Sequence, residues 1–269
     1  GVDALELNVS CPHGMPSKGM GAFIGQNAEL TGEVVSWVKE VAKVPLVVKL
    51  TPNVADIAFI AQAAKEHGAD ALCTVNTVSG LIGVDLDTLA PLPAVGGVST
   101  YGGYSGPGIK PIALRCVAQI ARATGLPVSG SGGVAAWEDA VEFMAVGAGT
   151  VQIATAVMWH GYGIIENLVQ GLARYLDEKE LPDATSIVGA ALAKLVEFPK
   201  MPLEPRVLAK VDETCNGCLR CVVACRDGGF QAISGVAGER VAVDAEKCDG
   251  CGLCALVCPR SSIAMTPCS

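Results

Sequence analysis

The chain has 269 residues, of which 51% are hydrophobic and 17% charged, and its formal net charge is −8. This length and composition predict a globular protein with a large buried core. The acidic balance argues against a nucleic-acid partner, because no basic stripe is present to neutralise phosphates. No signal peptide and no apolar run of membrane-spanning length is found, so we expect a cytoplasmic protein without a membrane partner.

Short apolar runs alternate with amphipathic stretches over residues 1 to about 180. The predicted strands are Ala4–Val9, Pro45–Leu50, Ala71–Val75, Leu126–Ser129 and Thr150–Ala154. The predicted helices lie near residues 29–42, 54–67, 111–124, 136–146 and 157–178. Continuous apolar strands separated by helices predict an α/β fold, in which helices cover a parallel sheet. In the second helix, Asn53 is expected to cap a start at Val54, and His67-Gly68 to mark the end.

Five strand–helix units are fewer than the eight of a closed (β/α)8 barrel, which needs about 250 residues. The chain also begins at Gly1, almost inside a strand. Together these observations predict a partial TIM barrel, containing about strands four to eight, that lacks its amino-terminal portion. A five-stranded open sheet is the alternative.

Eight of the 12 cysteines form two runs with the spacing Cys-x-x-Cys-x-x-Cys-x-x-x-Cys. This spacing is typical of bacterial-type ferredoxin domains with two 4Fe–4S clusters, in which the fourth cysteine of each run ligates the other cluster. The ligands predicted for one cluster are Cys215, Cys218, Cys221 and Cys258. Those predicted for the other are Cys248, Cys251, Cys254 and Cys225. Zinc sites and disulfides are less favoured alternatives, because zinc usually takes two Cys-x-x-Cys pairs and disulfides need an oxidising compartment.

Prolines concentrate between Leu181 and Arg206, around a predicted helix over 185–195. We interpret residues 181–206 as a linker between the barrel portion, residues 1–180, and a small α+β ferredoxin-like domain, residues 207–269. The two halves of that domain form an internal repeat, and each cysteine run is followed by a short apolar piece. So small a domain has little core of its own, and we expect the clusters to supply much of its folding free energy.

Chemically active side chains follow the predicted strands, where a barrel places its catalytic loops. Cys11 lies in a loop rich in glycine, Lys49 ends the second strand, and Asn76 and Thr77 follow the third. A lone cysteine is more often an inert core residue, and a lysine at a strand end often reaches solvent. At one rim, however, these groups can donate a proton, pair with an anion and bind a heterocyclic amide. Three further cysteines are predicted to be inert, two in the core and one in the tail: Cys73, Cys116 and Cys268.

Small residues follow the last two predicted strands. Ser131-Gly132-Gly133 and Ala154-Thr155-Ala156 each lead into a helix, as at the usual phosphate site of a barrel. The segment 130–135 also fits the dinucleotide pattern GxGxxA. However, residues 151–154 stand where that pattern expects an acidic residue, so we do not expect a nicotinamide dinucleotide there.

Several of these stretches together resemble the family of flavin-dependent dihydropyrimidine and dihydroorotate dehydrogenases. They are Glu6–Met15, Lys49–Asn53, Asn76–Gly80, Tyr101–Gly106, Lys110–Arg115, Gly132-Gly133 and the two cysteine runs. In this order they span nearly the whole chain. The resemblance implies a barrel that binds FMN, followed by a ferredoxin domain with two 4Fe–4S clusters.

The resemblance also implies roles for individual residues. Cys11 would be the general acid that protonates C5 of a pyrimidine while reduced FMN delivers hydride to C6. Asn8, Asn76 and Thr77 would hold the amide edge of the pyrimidine. Lys49 would contact FMN, whose phosphate would lie against Gly106, Gly132, Gly133 and Thr155. Lys18 stands where the family often has arginine, which keeps the charge but loses the planar fork.

The implied reaction is the reduction of uracil or thymine with electrons from NADH. These electrons would pass through a partner subunit containing FAD, then through the clusters and FMN, which implies a hetero-oligomer. A dihydroorotate dehydrogenase with the same barrel is the nearest alternative. A non-catalytic electron-transfer subunit is the alternative from another functional class.

Overall fold

A parallel sheet of five strands organises the first of the two units into which the chain folds, Gly1–Leu195 and Val196–Ser269. The computed structural model describes residues 1–12, 19–201 and 207–267. Lys18 and Cys268, both singled out in the sequence, lie outside the described residues. Within them, no helix has the length and apolar character needed to span a membrane.

The first half of this unit alternates strands and helices as the sequence predicts. Its elements are β1 Leu5–Asn8, α1 Ala22–Gly25, α2 Ala28–Val41, β2 Leu46–Lys49, α3 Ile57–Glu66 and β3 Ala71–Thr74. The predicted cap of α3 is wrong, because the Asp56 carboxylate, not Asn53, accepts the backbone N–H groups of Ala58 and Phe59 at 2.9 and 3.3 Å. The predicted end is confirmed, since His67 is the C-terminal cap.

After β3 the chain leaves the sheet in an excursion that the sequence analysis missed. It consists of β4 Val78–Gly80, β5 Gly83–Val84, β6 Pro91–Leu92 and β7 Gly102–Tyr104. β4 pairs with β7, and β5 with β6, both antiparallel. Strands of two or three residues are too short to show a hydrophobic periodicity, which explains why they were not predicted.

The second half returns to the sheet. Its elements are α4 Lys110–Thr124, β8 Val128–Ser131, α5 Trp137–Ala145, β9 Thr150–Gln152, α6 Thr155–His160 and α7 Gly163–Glu178. The single helix predicted over 157–178 is in fact two, because Gly161, with φ of +72°, ends α6.

The segment after α7 lacks the helix predicted over 185–195 and forms short 3-10 turns at Ala184–Ile187 and Leu192–Lys194 instead. The backbone N–H groups of Gly189 and Ala191 donate to the carbonyl oxygens of Met144 and Ala145, at 2.9 Å each. This part of the segment therefore packs on the end of α5.

The strand order of the parallel sheet is β1-β2-β3-β8-β9. Side chains alternate between its two faces. Leu46, Val48 and Leu72 are fully buried on the face that the helices cover. Glu6, Lys49 and Gln152 lie on the opposite face, which is polar.

The sheet is strongly curved toward that polar face. In a flat sheet, four strand-to-strand steps would separate β1 from β9 by about 19 Å. Here the Gln152 Nε2 group of β9 donates to the Glu6 Oε2 atom of β1 at 2.9 Å, across the concave side. The curvature is that of part of a barrel, and it excludes the flat open sheet.

The second unit has the predicted α+β architecture. Its elements are β10 Val207–Val211, α8 Arg220–Asp227, β11 Ile233–Ser234, β12 Ala242–Val243, α9 Leu253–Leu256 and β13 Ile263–Pro267. β10 pairs with β13, and β11 with β12, both antiparallel. Each cysteine run crosses a loop and enters a short helix, so the internal repeat of the sequence is also a repeat of structure.

Candidate active site and cluster sites

A cavity of about 280 Å³ opens at the carboxyl ends of β2, β3, β8 and β9. The carboxyl ends of parallel strands meet at one edge, which is why residues distant in sequence come together here. Seven of the residues predicted to bind substrate or cofactor line it: Lys49, Asn76, Thr77, Gly106, Gly132, Gly133 and Thr155.

Asn8 is joined to Asn76 through the hydroxyl of Ser10. The Ser10 Oγ atom donates to Asn8 Oδ1 at 2.8 Å and accepts from Asn76 Nδ2 at 2.9 Å. Asn76 Oδ1 in turn accepts the backbone N–H of Thr77 at 2.8 Å. Ser10 is fully buried, so this hydrogen-bonded chain has a fixed centre. Ser10 was not predicted from the sequence, although its place directly after a predicted strand was the available signal.

Asn53 supports the loop that carries Asn76 and Thr77. Its Nδ2 group donates to the Thr51 hydroxyl at 3.0 Å and to the Thr77 carbonyl at 3.1 Å. Its Oδ1 atom accepts the Ser79 N–H at 2.8 Å. A side-chain amide has donors and an acceptor and can therefore bind both polarities of a neighbouring backbone. Asn53 thus connects the end of β2 with the loop after β3.

Cys11 is half-buried in the loop after β1. Its carbonyl oxygen accepts the N–H of Ala22 at the start of α1, at 2.9 Å. Neither Cys11 nor Asn8 is among the described residues that line the cavity. Asn8 is connected to the lining residue Asn76 through the Ser10 hydroxyl. Cys11 follows the carboxyl end of β1, three residues beyond Asn8, and residues 13–18, which come next, lie outside the described residues.

Lys49 is the one cation among the described residues that line the cavity, and its side chain is 19% exposed. The Lys49 Nζ atom lies 3.2 Å from Gln152 Oε1 and 3.3 Å from Glu6 Oε1. Burial acts to raise the pKa of Glu6, but the hydrogen bond from Gln152 and the charge of Lys49 outweigh it and hold the pKa below its usual value. Burial raises the pKa of the neighbouring Cys73 thiol to about 12, and this cysteine is fully buried, as expected of a core residue.

Two glycines of the cavity wall lie too close to other atoms for a larger residue. At Gly133, with φ of +89°, a Cβ atom would lie 2.8 Å from the backbone nitrogen of Lys110 and 2.9 Å from the carbonyl oxygen of Gly106. At Gly106, with φ of +86°, it would lie 3.0 Å from the Trp159 ring. Both glycines have a left-handed backbone, and both let the backbone come close to whatever occupies the cavity.

An ion pair holds the loop after β8. The buried Asp139 carboxylate accepts the backbone N–H groups of Ala135 and Ala136, both at 2.8 Å, and pairs with the Lys110 ammonium at 2.6 Å. Burial alone would raise the pKa of Asp139, but Lys110 and these N–H groups keep it below its usual value. Asp139 and Lys110 therefore fix α5 and α4 on either side of Gly132 and Gly133. Neither residue was predicted from the sequence as part of the site.

Two cavities of the second unit are lined by the two sets of four cysteines that the spacing assigns to separate clusters. Cys225, Cys248, Cys251 and Cys254 line one of them. Cys215, Cys218, Cys221 and Cys258 line the other. No three His, Cys, Asp or Glu side chains in the described ranges are arranged to hold a single metal ion. Each set of four thiols surrounds its own cavity, and four cysteines are the ligands that one 4Fe–4S cluster takes.

Backbone N–H groups point at the fourth cysteine of each run. The Ala232 N–H donates to Cys225 Sγ at 3.2 Å, and the Ser262 N–H to Cys258 Sγ at 3.3 Å. Burial acts to raise the pKa of Cys258, but the N–H groups of Arg260 and Ser262 outweigh it and lower the pKa. Donors of this kind stabilise anionic sulfur, which fits thiolate ligands of an iron–sulfur cluster.

Residues 1–176 match the family model described as dihydroorotate dehydrogenase, and residues 209–265 match a 4Fe–4S dicluster domain. The chain is 39% identical over 237 residues to the NAD-dependent dihydropyrimidine dehydrogenase subunit PreA of Escherichia coli (strain K12), covering 87% of this chain and 57% of that protein. It is 41% identical over 222 residues to the chloroplastic dihydropyrimidine dehydrogenase (NADP(+)) of Arabidopsis thaliana, covering 78% of this chain and 52% of that one.

The catalytic subunit of dihydroorotate dehydrogenase B (NAD(+)) from Pyrococcus abyssi is 45% identical over 190 residues, which cover 71% of this chain and 61% of that one. The chain thus spans between half and two thirds of the length of these relatives. A crystal structure of Eimeria tenella DHODH in complex with ferulenol has a similar fold, with a TM-score of 0.56 and 20% identity over 70% of this chain and 54% of that one.

Proposed function

Because the chain belongs to the dihydroorotate dehydrogenase family and continues into a 4Fe–4S dicluster domain, we propose that it is the flavin and iron–sulfur part of a dihydropyrimidine dehydrogenase. The proposed reaction reduces uracil or thymine to the 5,6-dihydropyrimidine. One observation carries this choice of substrate. The similarity to proteins named dihydropyrimidine dehydrogenase extends over 237 residues, more than the 195 of the first unit, and so reaches the cluster unit. The dihydroorotate dehydrogenase B relative matches over only 190 residues.

The cavity at the strand ends fits FMN in its chemistry. Gly106, Gly132, Gly133 and Thr155 would hold the phosphate, because their backbone can approach it closely before a helix begins. The Thr155 hydroxyl donates to the Ser105 hydroxyl at 3.0 Å, which joins two walls of this cradle. Lys49 would meet the electron-rich edge of the ring. When bound, FMN supplies hydride transfer to a carbon atom of the substrate.

Asn8, Asn76 and Thr77 would hold the pyrimidine by its amide edge. A side-chain amide has two N–H donors, and Asn76 uses one of them on Ser10, so another is available for a carbonyl oxygen of the ring. Because Asn8 and Asn76 share the buried hydroxyl of Ser10, they would orient the ring as one rigid unit.

Cys11 would give the proton that completes the reduction at C5. Its thiol holds a single proton, and a positioned proton donor of this kind typically contributes a rate factor of about 10²–10⁴. The loop after β1 carries Cys11 on the same rim as Asn8, and its carbonyl is fixed by Ala22. The thiol would therefore be presented to a ring already held by the two asparagines.

The two sets of four cysteines would hold two 4Fe–4S clusters that carry electrons toward the flavin. The relative from E. coli is named as a subunit of an NAD-dependent enzyme. We therefore infer a hetero-oligomer, in which a partner subunit containing FAD oxidises NADH and reduces these clusters.

Substrate choice is tested by NADH oxidation with the complete protein and its partner, using uracil, thymine and orotate in turn. We expect turnover with uracil or thymine and none with orotate. Turnover of orotate alone would assign the chain to the dihydroorotate dehydrogenases, the second candidate that its 45% identity to such a subunit supports.

The role of Cys11 is tested by Cys11→Ala with Cys116→Ala as the matched control, since Cys116 is buried in α4 and is not among the residues that line the cavity. We expect Cys11→Ala to lose at least about 100-fold in kcat while flavin content is unchanged. Cys116→Ala should retain its turnover. Uracil reduction at the normal rate by Cys11→Ala would remove the thiol from the mechanism.

A further inference from the structure

Three side chains from three strands form one connected group on the concave face of the sheet. Glu6 belongs to β1, Lys49 to β2 and Gln152 to β9. Gln152 Oε1 accepts from the Lys49 ammonium at 3.2 Å, and Gln152 Nε2 donates to Glu6 Oε2 at 2.9 Å. The other Glu6 oxygen lies 3.3 Å from Lys49 Nζ. We call Glu6, Lys49 and Gln152 the concave triad.

The triad holds the Lys49 ammonium in position and partly neutralises its charge. The Gln152 amide has one orientation that satisfies both neighbours, with its oxygen toward the ammonium and its NH2 group toward the carboxylate. With its pKa lowered, Glu6 is anionic at neutral pH. Lys49 therefore presents a charge to the cavity that is partly neutralised from behind.

Lys49 and Gln152 line the cavity, whereas Glu6 touches both of them without being a lining residue. Lys49 can therefore contact a ligand in the cavity, while Glu6 changes the charge that Lys49 presents to this ligand. A cation beside a flavin ring favours the reduced form, which carries more negative charge than the oxidised form. A carboxylate 3.3 Å from that cation opposes the preference.

We propose that Glu6 and Gln152 are positioning residues that hold the Lys49 ammonium at the cavity wall and set how strongly it favours reduced over oxidised flavin. The inference rests on the proposed flavin site. Glu6 lowers the preference for reduced flavin by neutralising part of the charge. Gln152 raises it, because its carbonyl oxygen keeps the ammonium at the cavity and away from a closer pairing with Glu6.

The test uses the complete protein with FMN and two variants with opposite expected effects. Dissociation constants are measured for oxidised and reduced FMN, and the midpoint potential is measured by titration. In Glu6→Gln the ratio of the two constants should shift about tenfold in favour of reduced flavin, which is about +30 mV for a two-electron couple. In Gln152→Met, a side chain of similar length, it should shift severalfold the other way.

Ser129→Ala is the matched control. The Ser129 hydroxyl accepts from the Thr150 hydroxyl at 2.9 Å and so joins β8 and β9, the strand of Gln152, and among the described residues it makes no hydrogen bond to the triad. This variant should leave the potential unchanged, whereas a merely structural role of the triad predicts that all three variants change stability and none changes the potential.

Opposite shifts in Glu6→Gln and Gln152→Met, with none in Ser129→Ala, support the proposal. An unchanged potential in Glu6→Gln with FMN still bound overturns it and leaves the proposed function standing. Failure of the unmodified complete protein to bind FMN overturns both together.

Discussion

The two units of the chain contain different kinds of core. In the first, aliphatic side chains and Phe143 pack between the sheet and its helices, and the chemical groups lie at the rim of that core. In the second, the core has nine buried members among the residues that the structure describes, and four of them are predicted cluster ligands: Cys221, Cys225, Cys248 and Cys254. The first unit thus has a core before any cofactor binds, whereas in the second the ligands are much of the core.

The largest effect should come from removing one buried ligand of the second unit. In Cys254→Ala we expect loss of a cluster and, because metal binding there supplies folding free energy, loss of ordered structure over 207–267. Segment-resolved hydrogen exchange, with iron and sulfide analysis, should show lost protection in these residues and normal protection in the first unit.

The matched control for that experiment is Cys116→Ala, which replaces a cysteine that is also buried but belongs to the first unit. Without a ligand role, it should cost only on the order of 1 kcal/mol through the small cavity left behind. If residues 207–267 of Cys254→Ala kept their protection, the distinction between the two cores would be wrong.

The next largest effect concerns the rim of the first unit. Gly133→Ala places a residue with a side chain at a left-handed φ of +89° and brings its Cβ atom within 2.8 Å of the backbone nitrogen of Lys110. We expect a loss of about 1–3 kcal/mol in the free energy of unfolding, and at least tenfold weaker FMN binding. Both are measurable, by urea denaturation and by flavin titration.

Gly125→Ala separates the strain of a positive φ from the close contact of the new Cβ atom. Gly125 also has a positive φ, +64°, but nothing lies within 4 Å of the position where its Cβ would be. It should show the strain of the backbone, on the order of 1 kcal/mol, with FMN affinity unchanged. Equal FMN affinities in both variants would argue that Gly133 is not part of the phosphate cradle.

A smaller effect should follow the loss of the charge that holds the loop after β8. Asp139→Asn removes an ion pair at 2.6 Å and weakens two backbone hydrogen bonds, which should cost about 1–3 kcal/mol at neutral pH. The pKa of Asp139 is lowered in the folded protein, so its contribution is present at neutral pH and is lost as the pH falls below about 4.

The measurement is urea denaturation of both proteins between pH 7 and about pH 3. The difference in unfolding free energy should shrink as the pH falls, because protonated Asp139 resembles the asparagine of the variant. A difference that stayed constant across this range would show that the charge of Asp139 does not hold the loop.

Most strands and helices of the first unit could be predicted, because apolar periodicity and strand-end residues are local properties of the sequence. Lys49, Asn76 and Gly133 were found because each directly follows or ends a strand. The excursion between β3 and α4 could not be found in this way, since its strands are two or three residues long. Glu6 was not singled out either, because its importance depends on a partner at position 152, which meets it only when the sheet curves.

The same reason explains the error at the start of α3. Asn53 and Asp56 are both residues that cap helices, and the sequence alone cannot show which has another partner. Asn53 is bound to Thr77 and Ser79, which are distant in sequence and become neighbours only through the pairing of β2 with β3. The choice between the two residues was therefore decided by tertiary structure.

The smallest expected effects test that division of roles. Asp56→Ala removes the cap of α3 and should cost about 1 kcal/mol in the free energy of unfolding, with unchanged KM for the pyrimidine. Asn53→Ala should cost a similar amount, because three hydrogen bonds are lost at a half-buried site, but it should also raise the KM, since the loop of Asn76 and Thr77 loses its support. Denaturation and steady-state kinetics on both variants distinguish the two roles. A normal KM in Asn53→Ala would mean that the loop is supported by other residues. A raised KM in Asp56→Ala would mean that the stability of α3 also affects substrate binding, so that the two roles are not separate.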